Sequence, residues 1–192
     1  NDQGSVNGAR PPERFQKYEK QSDYHWRQYS AGTKYKRHVD RVAEWIKEKV
    51  VLDIGAGDGK ITSMLGPGCI GIDNEPEGVR LAREHGVNVI LGDAYHLPYQ
   101  DGQFESVLMA DVLEHFEFPE KALAEARRVL RGYLYVTTPP KRADGKLTDK
   151  YHYFELTPDE LKTMVESAGF TLEGEVDVVL ADKVMYGRFR KR

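Results

Sequence analysis

The 192-residue chain has one cysteine, no apolar run of membrane-spanning length and no internal repeat. A lone cysteine, Cys69, cannot close an intrachain disulfide or build a multi-cysteine zinc site, which points to a reducing compartment. It sits in the apolar run CIGI, where a buried thiol is expected. No stretch approaches the roughly 20 apolar residues that cross a bilayer, and the opening residues lack the apolar core of a signal peptide, so a cytoplasmic protein is expected. Gly and Pro are modest, hydrophobic residues make up 40% and charged residues 31%, which excludes a disordered or fibrous chain.

Net charge is -3, so no polyanionic partner is indicated overall. The charges are nevertheless uneven. From Asp53 to Glu120 there are 13 acidic residues against three basic ones, Lys60, Arg80 and Arg83. The last ten residues hold Lys183, Arg188, Arg190, Lys191 and Arg192. Solvated faces are the expected reading of both runs, with a basic tail touching phosphate as the alternative.

Residues 1–32 show no clean apolar period and read as an arm rich in aromatics; residues 33–192 read as one domain. Val39, Val42, Ala43 and Ile46 fall on one helical face, which predicts an amphipathic helix leading into the core. Short β-branched runs then alternate with helical segments: KVVLDIG, GDGKITSMLG, CIGID, PEGVRLAREHG, VNVILGD, FESVLMAD, PEKALAEARRVL and YLYVTTPP. That order demands a parallel sheet with helices on both faces. TPDELKTMVESAGF is a further helix, with Thr157 as cap and Pro158 in its first turn. About Thr171–Val179 and Lys183–Arg190 read as two strands joined tightly through Leu180-Ala181-Asp182, an antiparallel pair.

The strongest local signal is VLDIGAGDGK, a strand that ends in Asp53 and enters a turn of Gly55, Gly57 and Gly59. Glycines there allow a tight turn and close approach of a ligand to the backbone. A dinucleotide fingerprint requires Gly or Ala where this chain has Lys60. With an acid before the glycines and no need to cradle a pyrophosphate, the turn suits a ligand that carries an ammonium group. Asp73, about twenty residues further on, stands where a carboxylate accepts hydrogen bonds from ribose hydroxyls. Asp93 and Asp111 end the next two strands, so four acids share the edge where open α/β sheets bind ligands.

Across Val51–Phe170 these stretches, in this order, resemble the class I S-adenosylmethionine-dependent methyltransferases, and within them the branch acting on small molecules and lipid-quinone precursors. The resemblance implies a Rossmann-like methyltransferase fold: a mostly parallel seven-strand sheet with an antiparallel C-terminal strand pair. It implies S-adenosylmethionine as cofactor and an enzyme transferring methyl to a small-molecule or carrier-linked acceptor. Asp53, Gly55, Ala56 and Gly57 would hold the methionine end, Asp73 and Asn74 the ribose, Asp93 and Ala94 the adenine, and Ala110 with Asp111 would border the methyl group. The chain departs from the family in lacking the Pro-Gly-Gly turn before the fifth strand, where only Arg131-Gly132 stands, and in lacking substrate-binding insertions.

A base is needed for a hydroxyl or acidic-carbon acceptor, and Asp111, His115 and His152 are the candidate catalytic residues. Glu114 and His115 equally suit a role bracing the loop. Asp111, Glu114, His115 and His152 also resemble the metal-binding set of the small-RNA 3'-end 2'-O-methyltransferases, but Asp111 is short for a first ligand, and no metal is expected. An RNA methyltransferase and a catalytically silent S-adenosylmethionine-binding module are the alternatives; nucleic acid and membrane are not the expected partners. With no insertion to cover the ligand edge, the arm is expected to act as a lid, with Tyr24, Trp26 and Tyr29 as its substrate-facing aromatics.

Overall fold

The computed structural model describes residues 13, 15–179, 181 and 183–192. Five strands, β1 (Val51–Ile54), β2 (Ile70–Asp73), β3 (Val89–Leu91), β4 (Phe104–Ala110) and β5 (Leu130–Thr138), pair in parallel. β6 (Phe170–Leu172), β7 (Asp177–Val179) and β8 (Val184–Lys191) follow, with β8 antiparallel to β5, β6 and β7. The path runs β3-β2-β1-β4-β5-β8-β6, with β7 also paired to β8. The order reverses between β1 and β4, which opens a crevice beyond their carboxyl ends.

Alternation along the strands sorts side chains onto the two faces. Leu52, Ile54, Val107, Met109, Leu134 and Val136 pack in one core with Leu123 and Ala126 of α5 (Pro119–Val129) and Leu161 and Val165 of α6 (Pro158–Ser167). Val51, Leu108 and Tyr135 face the other way, against Val42 and Ile46 at the end of α3 (Lys34–Trp45). α4 (Pro76–Glu84) packs Val79 and Ala82 on Val89 of β3. α6 begins with the expected cap: the Thr157 hydroxyl accepts from Glu160 N while the Glu160 carboxylate accepts from Thr157 N.

The structure departs from the sequence reading in three places. GDGKITSMLG makes only a 3-10 turn over Thr62–Met64, because the segment between Gly59 (φ 76°) and Gly66 (φ 100°) is short and Thr62 turns its hydroxyl back to Asp53. The strand expected over Thr171–Val179 is split by a bend at Gly174 (φ 80°) into β6 and β7, so the sheet has eight strands, seven of them on the continuous path. The arm is helical in part, with α1 (Lys17–Gln21) and α2 (Tyr24–Ser30). Residues 1–12 and Arg14 of the arm, and Leu180 and Asp182 of the expected tight connection, lie outside the described residues. Cys69 is a free, buried thiol that donates to Leu65 O at 3.2 Å. Among the described residues no helix is long and apolar enough to cross a membrane.

Candidate active site at the carboxyl edge of the sheet

A cavity of about 1140 Å³ lies at the β1/β4 switch point. Its floor comes from the turn after β1, where Gly55 (φ 78°) and Gly57 (φ 55°) take conformations that side chains rarely adopt. A Cβ on Gly55 would clash with the Val112 side chain, and one on Gly57 with the Tyr18 hydroxyl, so neither position admits a larger residue. Asp73, at the end of β2, fixes this turn by accepting from Gly57 N at 2.7 Å and from Glu75 N at 2.8 Å. Asp53, Gly55, Ala56, Asp73 and Asn74 line one side of the cavity; Asp93, Ala94, Ala110 and Asp111 continue the wall. Gly57 contributes through its backbone bond to Asp73 and is not itself on the wall. Asp93 accepts from Tyr95 N at 2.8 Å and meets His96 Nδ1 at 3.0 Å, which hold its carboxyl below the ordinary range.

Asp53 is 1% exposed, and its only bond among the described residues is a hydroxyl donated by Thr62 at 2.6 Å. Burial pushes its carboxyl up to about 7, against the lowering effect of Thr62 and with a further push from the Asp73 charge. A buried acid on a cavity wall, with no cation set against it by the described residues, matches a ligand that brings its own positive charge. Asp73, with each oxygen already engaged once by backbone N–H, retains lone pairs for hydroxyl donors. These acceptors therefore fit a cofactor that joins an amino acid, with its ammonium free, to a nucleoside.

The arm packs against the same turn. Tyr18 is buried over Gly57 and Gly78. Trp26 donates to Asp58 O at 2.8 Å and stacks on His85 with ring centroids 3.9 Å apart, while His25 Nδ1 meets Asp58 Oδ1 at 3.1 Å. The Lys60 ammonium lies 4.5 Å from the Trp26 ring centroid and 3.9 Å from that of Tyr29, a double cation–π contact. Thus Tyr24 is on the cavity wall, whereas Trp26 and Tyr29, read from the sequence as facing the ligand, instead clamp the arm to Lys60. Phe15, Tyr18, His25 and Tyr35 join Tyr24 on the wall.

Asp111 closes β4 in a left-handed conformation (φ 48°), its N–H bonded to Thr137 O at 2.8 Å. Its carboxylate accepts from the Thr137 hydroxyl at 3.1 Å and stands 3.2 Å from His38 Nε2. That contact is close enough for charge attraction but is not aligned as a hydrogen bond. Burial alone would raise the Asp111 pKa; His38 and Thr137 outweigh it and hold the carboxyl below its ordinary value. His38 Nδ1 is 2.8 Å from the Tyr186 hydroxyl, so α3 and β8 both reach the site. Sequence reading missed His38, although its place one turn before Val42 on the apolar face of α3 was the available signal. Tyr18 and Tyr186 carried no such signal.

His115 and His152 come together with Glu114, their rings 4.7 Å apart and edge-to-face. Glu114 is buried and accepts from the Thr138 hydroxyl at 2.9 Å; burial, reinforced by the Asp111 charge, pushes its carboxyl well above the usual range. Burial and the neighbouring His152 push His115 down to about 4, so its imidazole is neutral at neutral pH. Asp111 stands apart from this trio, turned to His38 and Thr137.

Residues 52–136 match the model of a methyltransferase domain. The chain is 33% identical over 97 residues to an uncharacterised protein of Methanocaldococcus jannaschii, covering 50% of this chain and 47% of that one. It is 29% identical to a demethylmenaquinone methyltransferase of Thermus thermophilus, covering 77% and 86%. Among solved structures it is similar to an S-adenosylmethionine-dependent methyltransferase of Thermotoga maritima described as a possible histamine N-methyltransferase, with a TM-score of 0.75 at 24% identity over 91% of this chain and 98% of that one. The chain spans less than half the length of the first curated relatives it matches.

Proposed function

We propose that the chain, whose residues 52–136 match a methyltransferase domain, is a class I S-adenosylmethionine-dependent methyltransferase that transfers the cofactor's methyl group to a small-molecule or carrier-linked acceptor held in the cavity at the β1/β4 switch point. When bound, S-adenosylmethionine supplies a methyl group already activated by its sulfonium. What remains for the protein is to bind, orient, exclude water and accept a proton.

In this reading Asp53 faces the ammonium, and Gly55, without a side chain, lets the methionine end lie close against the turn, whose own N–H groups are held by Ile72 O and Asp73. Asp73 with Asn74 takes the ribose, Asp93 with Ala94 the adenine, and Ala110 and Asp111 flank the reacting methyl. Tyr24 and its arm neighbours cover the ligands from the open side. Asp111 is the first candidate to accept a proton, since His38 and Thr137 keep it ionised at neutral pH. His115 and His152 also line the cavity. The observation that carries the reading is Asp53, an acid buried on the cavity wall that calls for a cationic ligand. A small-molecule acceptor is supported by a cavity large enough for a second ligand beside the cofactor, and by the Thermus relative's named activity. Of the basic C-terminal residues, Arg188 pairs with Glu173 at 3.0 Å and Lys191 donates to Leu130 O at 2.6 Å.

The test is a screen of fractionated metabolite extract with methyl-labelled S-adenosylmethionine. Label is expected to move into a low-molecular-weight fraction with the wild-type chain and not with Asp53→Ala. Cofactor binding without label transfer to any fraction would instead make the chain a binding module.

A further inference from the structure

On the cavity wall the Lys17 ammonium pairs with Asp149 at 2.7 Å and lies 5.9 Å from each of the ring centroids of Phe15, Tyr24 and Tyr151. We propose that these three rings and Asp149 form a subsite for an organic ammonium group of the methyl acceptor, and that Lys17 occupies that subsite in this structure. An ion pair alone would suffice to tie the arm to the loop between β5 and α6. Three rings set about one ammonium, each within the roughly 6 Å reach of a cation–π contact, are the means by which alkylammonium ligands are recognised. Phe15 and Tyr24 come from the arm, Tyr151 and Asp149 from the loop, and all four line the cavity. Tyr151 is buried, with the Phe15 ring packed on it at 5.2 Å between centroids. Asp149 is aimed by Tyr151 N, which donates to its Oδ1 at 3.1 Å and leaves Oδ2 to the ammonium.

Exposure and charge both favour exchange of Lys17 for a ligand. The Lys17 side chain is 25% exposed and that of Asp149 24%, and an ion pair open to water contributes little to stability. Replacing one ammonium by another keeps Asp149 paired, while Lys17 swings to solvent on its flexible four-carbon stem. The cavity wall carries more carboxylates than lysine and arginine side chains, and two of those cations are held elsewhere, Lys141 by Glu160 and Arg142 by Asp144. Its field therefore favours a cationic guest. Burial and the charges of Asp58, Asp111 and Asp149 push the Tyr24 hydroxyl above its ordinary pKa, so the box lies within electrostatic reach of Asp111. Resting on the methyl-transfer reading, the box anchors the acceptor by its cation while Asp111 takes the nucleophile's proton. Lys17 then competes with the acceptor and lowers its apparent affinity by the fraction of chains in which the box is open.

The test uses the full chain without S-adenosylmethionine, titrated by calorimetry with tetramethylammonium and with tert-butanol, an uncharged molecule of similar shape. Tetramethylammonium is expected to bind and tert-butanol is not. Lys17→Gln should tighten tetramethylammonium binding by about tenfold. Added to Lys17→Gln, Phe15→Leu and Tyr24→Leu keep apolar bulk but remove a π face, and each should weaken binding by about tenfold. Circular dichroism checks that each variant is folded, and Phe15→Leu decides should Tyr24→Leu not fold. Equal binding of the two probes, or no gain in Lys17→Gln, would overturn the subsite. So would binding that Asp53→Asn abolishes and Phe15→Leu leaves intact, since the cation would then sit on the cofactor side of the cavity. None of these outcomes depends on methyl transfer.

Discussion

Replacing Asp53 by Asn should alter stability and cofactor binding in opposite directions, and its pH dependence isolates the cause. The Asp53 carboxyl is pushed up to about 7 in the folded chain, against about 3.9 in an unfolded one. Between those values the folded state binds more protons than the unfolded state, so this group's contribution to stability falls as pH rises through the window and is flat above it. From pH 5 to pH 8 the fall is about 2–3 kcal/mol, at about 1.4 kcal/mol per pH unit up to the folded pKa. Asn cannot ionise, and its amide can still accept the Thr62 hydroxyl. Any cost of its NH₂ group is independent of pH and cancels in the difference. Urea unfolding of both proteins across this range should therefore show the variant gaining about 2–3 kcal/mol on the wild type as pH rises. Calorimetry should show it losing S-adenosylmethionine affinity, most strongly at pH 8, where the wild-type acid is charged. Parallel stability profiles would refute the buried, uncompensated charge from which the ligand's ammonium was inferred.

Three further outcomes follow from the same geometry. Asp73→Ala should weaken S-adenosylmethionine binding by roughly 1.5–3 kcal/mol in calorimetry, through loss of charged hydrogen bonds and of the bond that fixes the Gly turn. Deleting residues 1–30 should leave a chain folded by circular dichroism, with weakened cofactor binding and no turnover, because the arm covers the cavity while the sheet and its cores lie beyond it; aggregation would make the arm structural. His38→Ala removes the positive neighbour that lowers Asp111, so the acid limb of the rate profile should move to higher pH while S-adenosylmethionine affinity holds; an unmoved limb would exclude Asp111 as the proton acceptor.

The parallel sheet and the four strand-end acids were legible because each depends on local pattern: a β-branched run, then a turn, then a helical period. Asp53, Asp73, Asp93 and Asp111 share one cavity wall because parallel strands place their ends on the same edge. What stayed illegible depends on contacts far apart in sequence. His38 reaches Asp111 and Tyr186 across 73 and 148 positions, and Trp26 is drawn from the ligand to Lys60 by a cation–π contact that no periodicity encodes. The short turn at Thr62–Met64 was read as a helix because apolar spacing alone cannot show a hydroxyl turned back to Asp53. Glu114, His115 and His152 were each visible as candidates, but the contacts that orient the two rings, His115 Nδ1 to Tyr151 O and His152 Nδ1 to Glu155 Oε1, appear only in the structure.

The most direct test of the account is a calorimetric titration of the full chain at pH 8 with S-adenosylmethionine, and in parallel with NAD. Saturable binding of one S-adenosylmethionine per chain, with no heat from NAD, is the expected result: Asp53 is then ionised, and Lys60 stands where a dinucleotide turn needs a small residue. No binding of S-adenosylmethionine, or preference for NAD, would contradict it.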